Sequence, residues 1–294
     1  MIDLHVHSTM SDGTYSPGEI AKLVSEKGLY AFALTDHDTI FGNTAARIAS
    51  MAYKVKFING MEMSLNYDGH QIHVVALGFD ENSTAFKNFY TQLRAQKSAS
   101  IANVVDYLHK QGLDISMEKV RPYATGDGVD KYAILRYLIT NQSAVGDIQY
   151  LWDRYIDPAF RKLKLGIVEN PKAEEAIAQM HAAGAVTSLA HFHKKIGFIN
   201  NNRSEQEQHI KYLHEMGLDG MEAYYPNYSD EDRAFARYMI EKYNLLPTGG
   251  TDFHGANRPS VALGTGINNN MNVPDEFFTN ICLRSFFFGA KKSK

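Results

Sequence analysis

Cysteine is almost absent from this chain. Cys282 stands alone among 294 residues, so no internal disulfide and no Cys-x-x-Cys metal site can form. That fits a reducing, cytoplasmic setting. No run of about 18 apolar residues occurs, which excludes a membrane-spanning helix. The opening Met1-Ile2-Asp3-Leu4-His5 has no basic or long apolar stretch of the kind a signal peptide needs. Charge of one sign is also missing: 30 Lys and Arg face 33 Asp and Glu. A broad surface that coats nucleic acid is therefore not expected, although a local basic pocket is still possible. There is no internal repeat. The one basic run, Lys291-Lys292-Ser293-Lys294, is expected to fray. What remains is an ordinary globular composition, 44% hydrophobic, with one unusual count: 12 histidines.

Short apolar strands alternate with helical patterns. Ile2–Val6 reads as a strand. Ser16-Pro17-Gly18-Glu19 then supplies a cap, a first-turn proline and a capping-box glutamate for a helix ending near Gly28. Ala31–Thr35 is a buried strand and Asn43–Tyr53 has helical periodicity. Val55–Met63 and Gln71–Leu77, joined by an Asn66–Gly69 turn, suggest a hairpin. From Ser83 to about Arg161 helix follows helix, broken at Thr125–Asp130. Asn170-Pro171 reads as another helix start, after which strands at Ala185–Ala190, Gly220–Tyr224 and Leu246–Gly249 alternate with helices around Ser204–Glu215 and Asp230–Tyr243. This alternation predicts a parallel α/β sheet or barrel, built from residues 1–82 and 166–294, with 83–165 inserted as a helical cap.

The ionisable residues fall where strands end. His5 and His7 are two apart on a strand, so both rings leave one face and can share a metal. One such pair is weak evidence, because composition alone yields roughly 0.5 His-x-His pairs. Asp12 lies in a Ser-Asp-Gly turn, where an aspartate is ordinarily a cap. Asp36-His37-Asp38 ends an apolar strand, where unpaired charge is costly. Glu62 sits within the apolar Asn59–Met63 and calls for a partner, for which a cation is a natural candidate. His73 follows on the next strand, His191 and His193 end Ala185–Ala190, and Asp252 and His254 follow Gly249-Gly250-Thr251. Independent surface histidines would not gather repeatedly at strand ends, where α/β folds assemble their sites. His109, His181, His209 and His214 lie within helical patterns and read as solvated or helix-end residues.

Leu4-His5-Val6-His7-Ser8, Ser11-Asp12-Gly13, Thr35-Asp36-His37-Asp38-Thr39, Gly60-Met61-Glu62-Met63-Ser64 and Gly249-Gly250-Thr251-Asp252-Phe253-His254-Gly255 resemble, in order and spacing, the polymerase-and-histidinol-phosphatase (PHP) superfamily. With Ile72-His73, Leu189-Ala190-His191 and Leu218–Tyr225 added, the chain is similar to the stand-alone branch of nucleoside 3′,5′-bisphosphate phosphatases and 5′-to-3′ trimming ribonucleases. The resemblance implies a distorted (β/α)7 barrel with a helical insertion and two to three divalent metals. It implies that His5, His7, Glu62 and Asp252 hold the first metal and that Asp12, His37 and His254 hold the second. Glu62 would bridge to a third metal on His73 and His191. Mixed imidazole and carboxylate ligands suit Mn, Fe or Zn.

Asp36 and Asp38 match no ligand position and are expected to orient His37 or handle protons. After the third-metal histidine the relatives carry a proline and then a phosphate-binding arginine, whereas this chain reads His191-Phe192-His193-Lys194-Lys195. Where they carry a Gly-Arg-Pro-His-like helix start, this chain has Gly128-Val129-Asp130-Lys131. Lys194, Lys195, Arg258 and Arg161 are the candidates for binding a compact anionic group. His193 either faces the open side of the cluster as a general acid or turns aside at the mouth. The expected activity is hydrolysis of phosphate esters of nucleotides or short oligonucleotides by metal-activated water, with no affinity for long duplexes. The alternatives are a histidinol-phosphate-like phosphomonoesterase, a barrel hydrolase of non-phosphate bonds and a silent metal-binding module.

Overall fold

The computed structural model describes residues 1–141, 148–165 and 170–290, so the basic run at 291–294 lies outside the described residues. Seven strands form one sheet in chain order: β1 Ile2–Asp3, β2 Ala31–Leu34, β3 Lys56–Tyr67, β4 His70–Leu77, β5 Val186–Leu189, β6 Gly220–Tyr224 and β7 Leu246–Gly249. β4 runs antiparallel to both of its neighbours, and every other pairing is parallel. No strand ladder joins β1 to β7. The chain beyond each strand nevertheless meets the other: Leu4 N–H donates to the Gly249 carbonyl (3.2 Å) and His7 N–H to that of Phe253 (2.9 Å). The sheet thus curls into a distorted seven-stranded barrel whose first and last strands lie side by side.

Local signals explain most of the boundaries. Ser16 Oγ accepts from Glu19 N–H while Ser16 N–H donates to the Glu19 carboxylate (2.7 Å), and Pro17 opens helix α1, Pro17–Glu26; α2, Asn43–Tyr53, follows β2. Reciprocal boxes at Asn202/Glu205 and Ser229/Asp232 start the two helices between β5 and β7. Asp68 and Gly69, both at positive φ, make the two-residue turn that joins β3 to β4.

Three boundaries differ most from expectation. The ladder of β1 stops at Asp3, because the next amides go elsewhere: His5 N–H to Asp3 Oδ1 and Val6 N–H to Thr35 Oγ1 (3.0 Å). β3 runs four residues past Met63, because Asn66 and Tyr67 pair with Gln71 and His70 and leave only Asp68-Gly69 for the turn. Asn170-Pro171 does not start a helix. The Pro171 carbonyl accepts from Asn66 N–H (2.9 Å), and the helix Ala173–Ala182 begins after Lys172.

Between β4 and β5 the described residues are helices and turns. α3, Thr84–Lys110, runs 27 residues from a Ser83 cap. Its early residues Phe86, Phe89 and Leu93 pack into the core between barrel and helices, with Met61, Leu65 and Leu189. Its later residues Ile101, Val104 and Leu108 instead join Ile134, Leu138 and Ile156 in a second core. Each such buried aliphatic or aromatic side chain is worth about 1.5–3 kcal/mol, so both cores hold this one helix firmly.

Candidate metal centre

His5 and His7 follow β1 in extended chain, and two glycines press on them from the neighbouring loops. A Cβ at Gly250 would collide with the backbone and Cβ of His5, and one at Gly13 with the His7 carbonyl. Asp3 ties this loop to the one after β7, accepting from Thr251 N–H (2.9 Å), Thr251 Oγ (2.5 Å) and Gly264 N–H (2.8 Å). Asp38, His191 and Asp252 hold positive φ (52°, 26° and 53°), a conformation costly for side-chain-bearing residues and found at sites the surroundings over-determine.

Glu62, fully buried on β3, is the hub. Its Oε1 lies 3.2 Å from His5 Nε2, 2.9 Å from His73 Nδ1 and 3.0 Å from His191 Nε2. Its Oε2 lies 3.3 Å from His7 Nε2 and 2.9 Å from His37 Nδ1. Asp252 Oδ1 approaches His7 Nε2 (3.2 Å) and His254 Nδ1 (3.4 Å), while Asp12 Oδ2 approaches His254 Nε2 (3.0 Å) and His37 Nε2 (3.5 Å). All nine residues expected to bind metal meet in this cluster.

Their ligand atoms form three groups that could each hold an ion: His5, His7, Glu62 and Asp252; His7, Asp12, His37 and His254; and His37, Glu62 and His73. The first matches the expected set, the second gains His7, and the third has His37 in place of His191. The donor set fits a cation on a further ground. His5 Nε2, His7 Nε2, His37 Nδ1 and Glu62 Oε2 are buried and close to one another, yet none has a hydrogen-bond partner of acceptable geometry.

Electrostatics divides the histidines. Burial pulls His5 down, but Glu62, Glu222 and Asp252 outweigh it and push it up to about 10. His7 and His37 are raised against burial by their carboxylates as well. His191 is drawn down to about 3 by burial and Lys194, and His73 is lowered by burial. Burial raises Glu62, Asp12 and Asp252, but the surrounding cations hold all three well below the carboxylate range.

Asp36 does not face His37. Its carboxylate accepts from Ser8 N–H (2.8 Å), Ser8 Oγ (2.7 Å) and Ser11 Oγ (2.6 Å), fixing the loop between His7 and Asp12. Asp38 is spent on Ser64 N–H and the Lys97 ammonium (both 2.8 Å). His193 does not share the side of His191. β5 ends at Leu189 and His191 has positive φ, so strand alternation no longer applies; the His193 ring packs on Tyr228 (4.9 Å) and Tyr225 (5.5 Å). A cavity of about 1200 Å³ opens over the cluster, lined in part by Lys194, Lys195, Arg258 and Arg161, and His193 is not among its lining residues. Lys194 (3.1 Å) and Arg258 (2.5 Å) both reach Asp252 Oδ2, whereas the exposed Arg161 pairs with Asp157.

Several residues escaped sequence reasoning. Glu222 on β6 receives His5 Nδ1–H (2.7 Å) and His191 N–H (2.7 Å); a glutamate inside the apolar Gly220–Tyr224 was the available signal. Tyr225 donates to Asp252 (2.6 Å). From the helices between β4 and β5, Tyr132 on α4, Lys131–Asn141, donates to Asp12 (2.7 Å), and Lys131 lines the cavity beside it. Nothing in the sequence signalled those long-range contacts.

A 5′-3′ exoribonuclease of Haemophilus influenzae is 29% identical over 86% of this chain and 89% of its own length. A phosphoribosyl 1,2-cyclic phosphate 1,2-diphosphodiesterase of Eggerthella lenta is 26% identical over 86% of this chain and 94% of its own. A solved structure from Bifidobacterium adolescentis, described as a metal-dependent phosphoesterase, superposes with a TM-score of 0.78 at 24% identity, over 96% of both chains. Residues 3–245 match the PHP domain family, and with that match spanning most of its length, this chain belongs to the PHP domain family.

Proposed function

We propose that this protein is a metal-dependent phosphoesterase acting on nucleotides or short oligonucleotides. The observation that supports it most is Glu62: one buried carboxylate ringed by five imidazoles, with Asp12 and Asp252 at either side. Such a set suits two to three ions of Mn, Fe or Zn. Ions held there supply Lewis acidity, which acidifies water and offsets phosphoryl charge without a serine or cysteine nucleophile. The relatives named for RNA and for a ribosyl cyclic phosphate both act on ribose-linked phosphoesters, and that chemistry is carried over here.

The protein's own groups have separable tasks. Glu222 fixes His5 so that Nε2 faces Glu62. Asp36 holds the loop that presents Asp12. Lys194 and Arg258, at the cavity wall, set positive charge where an entering phosphoester needs it. Residues 83–165 act as a cap that brings Lys131 and Tyr132 over the cluster. The cavity suits a single nucleotide or a strand end and not a long duplex, and the single thiol suits the cytoplasm.

A panel with Mn tests the assignment. Nucleoside bisphosphates, nucleoside monophosphates, histidinol phosphate and short RNA are compared for release of phosphate or mononucleotide. Turnover of the nucleotide substrates is expected. Silence on all phosphoesters, with hydrolysis of amides or lactones, overturns it.

A further inference from the structure

The cavity that opens over the metal cluster is also lined by rings from the helices between β4 and β5. Trp152 and Phe160, both partly exposed, line the cavity wall together with Lys131. The Trp152 ring lies 6.1 Å from Tyr132 at 30° and 6.3 Å from Phe160 at 36°. The Lys131 ammonium stands 5.1 Å from the centroids of both Tyr132 and Trp152, and no carboxylate lies within ion-pair distance of it among the described residues.

The backbone is shaped to make this wall. Trp152–Ile156 is a π turn between two α-helical segments. In uninterrupted α geometry, positions eight apart diverge by about 80° around the axis. The underwound turn returns Trp152 and Phe160 to one side. Single π turns of this kind recur at functional sites.

We propose that the Trp152–Phe160 wall is a stacking platform for a nucleobase, and so selects base-bearing phosphoesters over bare sugar phosphates. The inference rests on the phosphoesterase reading and narrows its substrate class. A cavity of about 1200 Å³ is larger than a phosphoribosyl group needs, and its lining joins the aromatic Trp152 and Phe160 to the charged cluster. A nucleotide matches both, with its phosphate at the cluster and its base on the rings. Every base offers a π face, so the platform tolerates any sequence while requiring the base to be unpaired.

Trp152 is the only tryptophan, which makes it a direct reporter. Zinc-loaded protein is titrated with non-hydrolysable phosphonate analogues of adenosine 5′-monophosphate and of ribose 5-phosphate while tryptophan emission is followed. The nucleotide analogue should quench it saturably and the ribose analogue should leave it unchanged. In kinetics, Trp152→Leu and Phe160→Leu should each raise KM for the nucleotide about tenfold, leaving kcat and the KM for ribose 5-phosphate unaltered. Equal responses to both analogues, or equal KM changes for both substrates, overturn the proposal and make the rings packing of the insertion alone. Turnover of p-nitrophenyl phosphate by all three proteins reports separately on the phosphoesterase reading; its absence would remove that reading, while the titration would still decide whether a base binds.

Discussion

His5 Nδ1 lies 2.7 Å from Glu222 Oε1, so the ring is held from behind while its other nitrogen looks at Glu62. The other oxygen of Glu222 holds the His191 amide, so one carboxylate orients residues that follow two separate strands. Glu222→Gln keeps the shape and weakens the acceptor. Metal affinity should fall about 10- to 100-fold. Chelator competition measures it, with circular dichroism unchanged; undiminished affinity would show that Glu222 does not tune His5.

Glu62→Ala should lose more metal than any other single change, because its two oxygens face all five surrounding histidines. Elemental analysis should find more than one equivalent per chain in the parent and less than one in the variant. Full retention would end the bridging role.

Metal loading should release protons. The carboxylates push His5 up to about 10 and hold His7 well above its ordinary value, so these two rings carry protons at pH 7 that an ion must displace; His37 is raised in the same direction. His73 and His191 are lowered and give up none. Affinity should therefore rise with pH across the neutral range. Calorimetry in buffers of different ionisation enthalpy counts the protons, and a count of zero would contradict the assignment.

His193→Ala should leave metal content unaltered and kcat within about twofold, because the ring packs on Tyr225 and Tyr228 away from the cavity lining. A loss near 10²-fold would instead mark a general acid.

Lys97→Met should destabilise the fold by about 3 kcal/mol, since the largely buried Asp38 would lose its ammonium partner. Burial raises Asp38 and Lys97 outweighs it, so its carboxyl is depressed. A depressed carboxylate stabilises above its unfolded pKa, and that gain is lost as pH falls through the folded value. The variant's deficit should accordingly shrink below about pH 4. Urea unfolding at two pH values tests both points.

What could be read in the sequence was whatever is local. The seven strands, the ends carrying His5 and Asp252 and the Glu62 set inside β3 follow from apolar runs and the charges that close or interrupt them, and all nine expected metal-binding residues meet. The failures come from contacts that spacing does not encode. Asp36 sits beside His37 in sequence yet spends its oxygens on Ser8 and Ser11. His193 shares a period of two with His191, but the backbone leaves the strand between them. Tyr132 reaches Asp12 across 120 positions, and no local pattern announces that.

The long helix α3 carries a mechanical consequence. Its sequence from Thr84 to Lys110 contains neither glycine nor proline, and its two ends are anchored in different cores. At 1.5 Å per residue it is a rod of about 40 Å with no built-in hinge. Tilting the helices that follow it means bending the rod or tearing Phe86, Phe89 and Leu93 from their seats. The helix therefore couples the two cores as a strut, with no joint of its own about which the later helices could swing from the barrel.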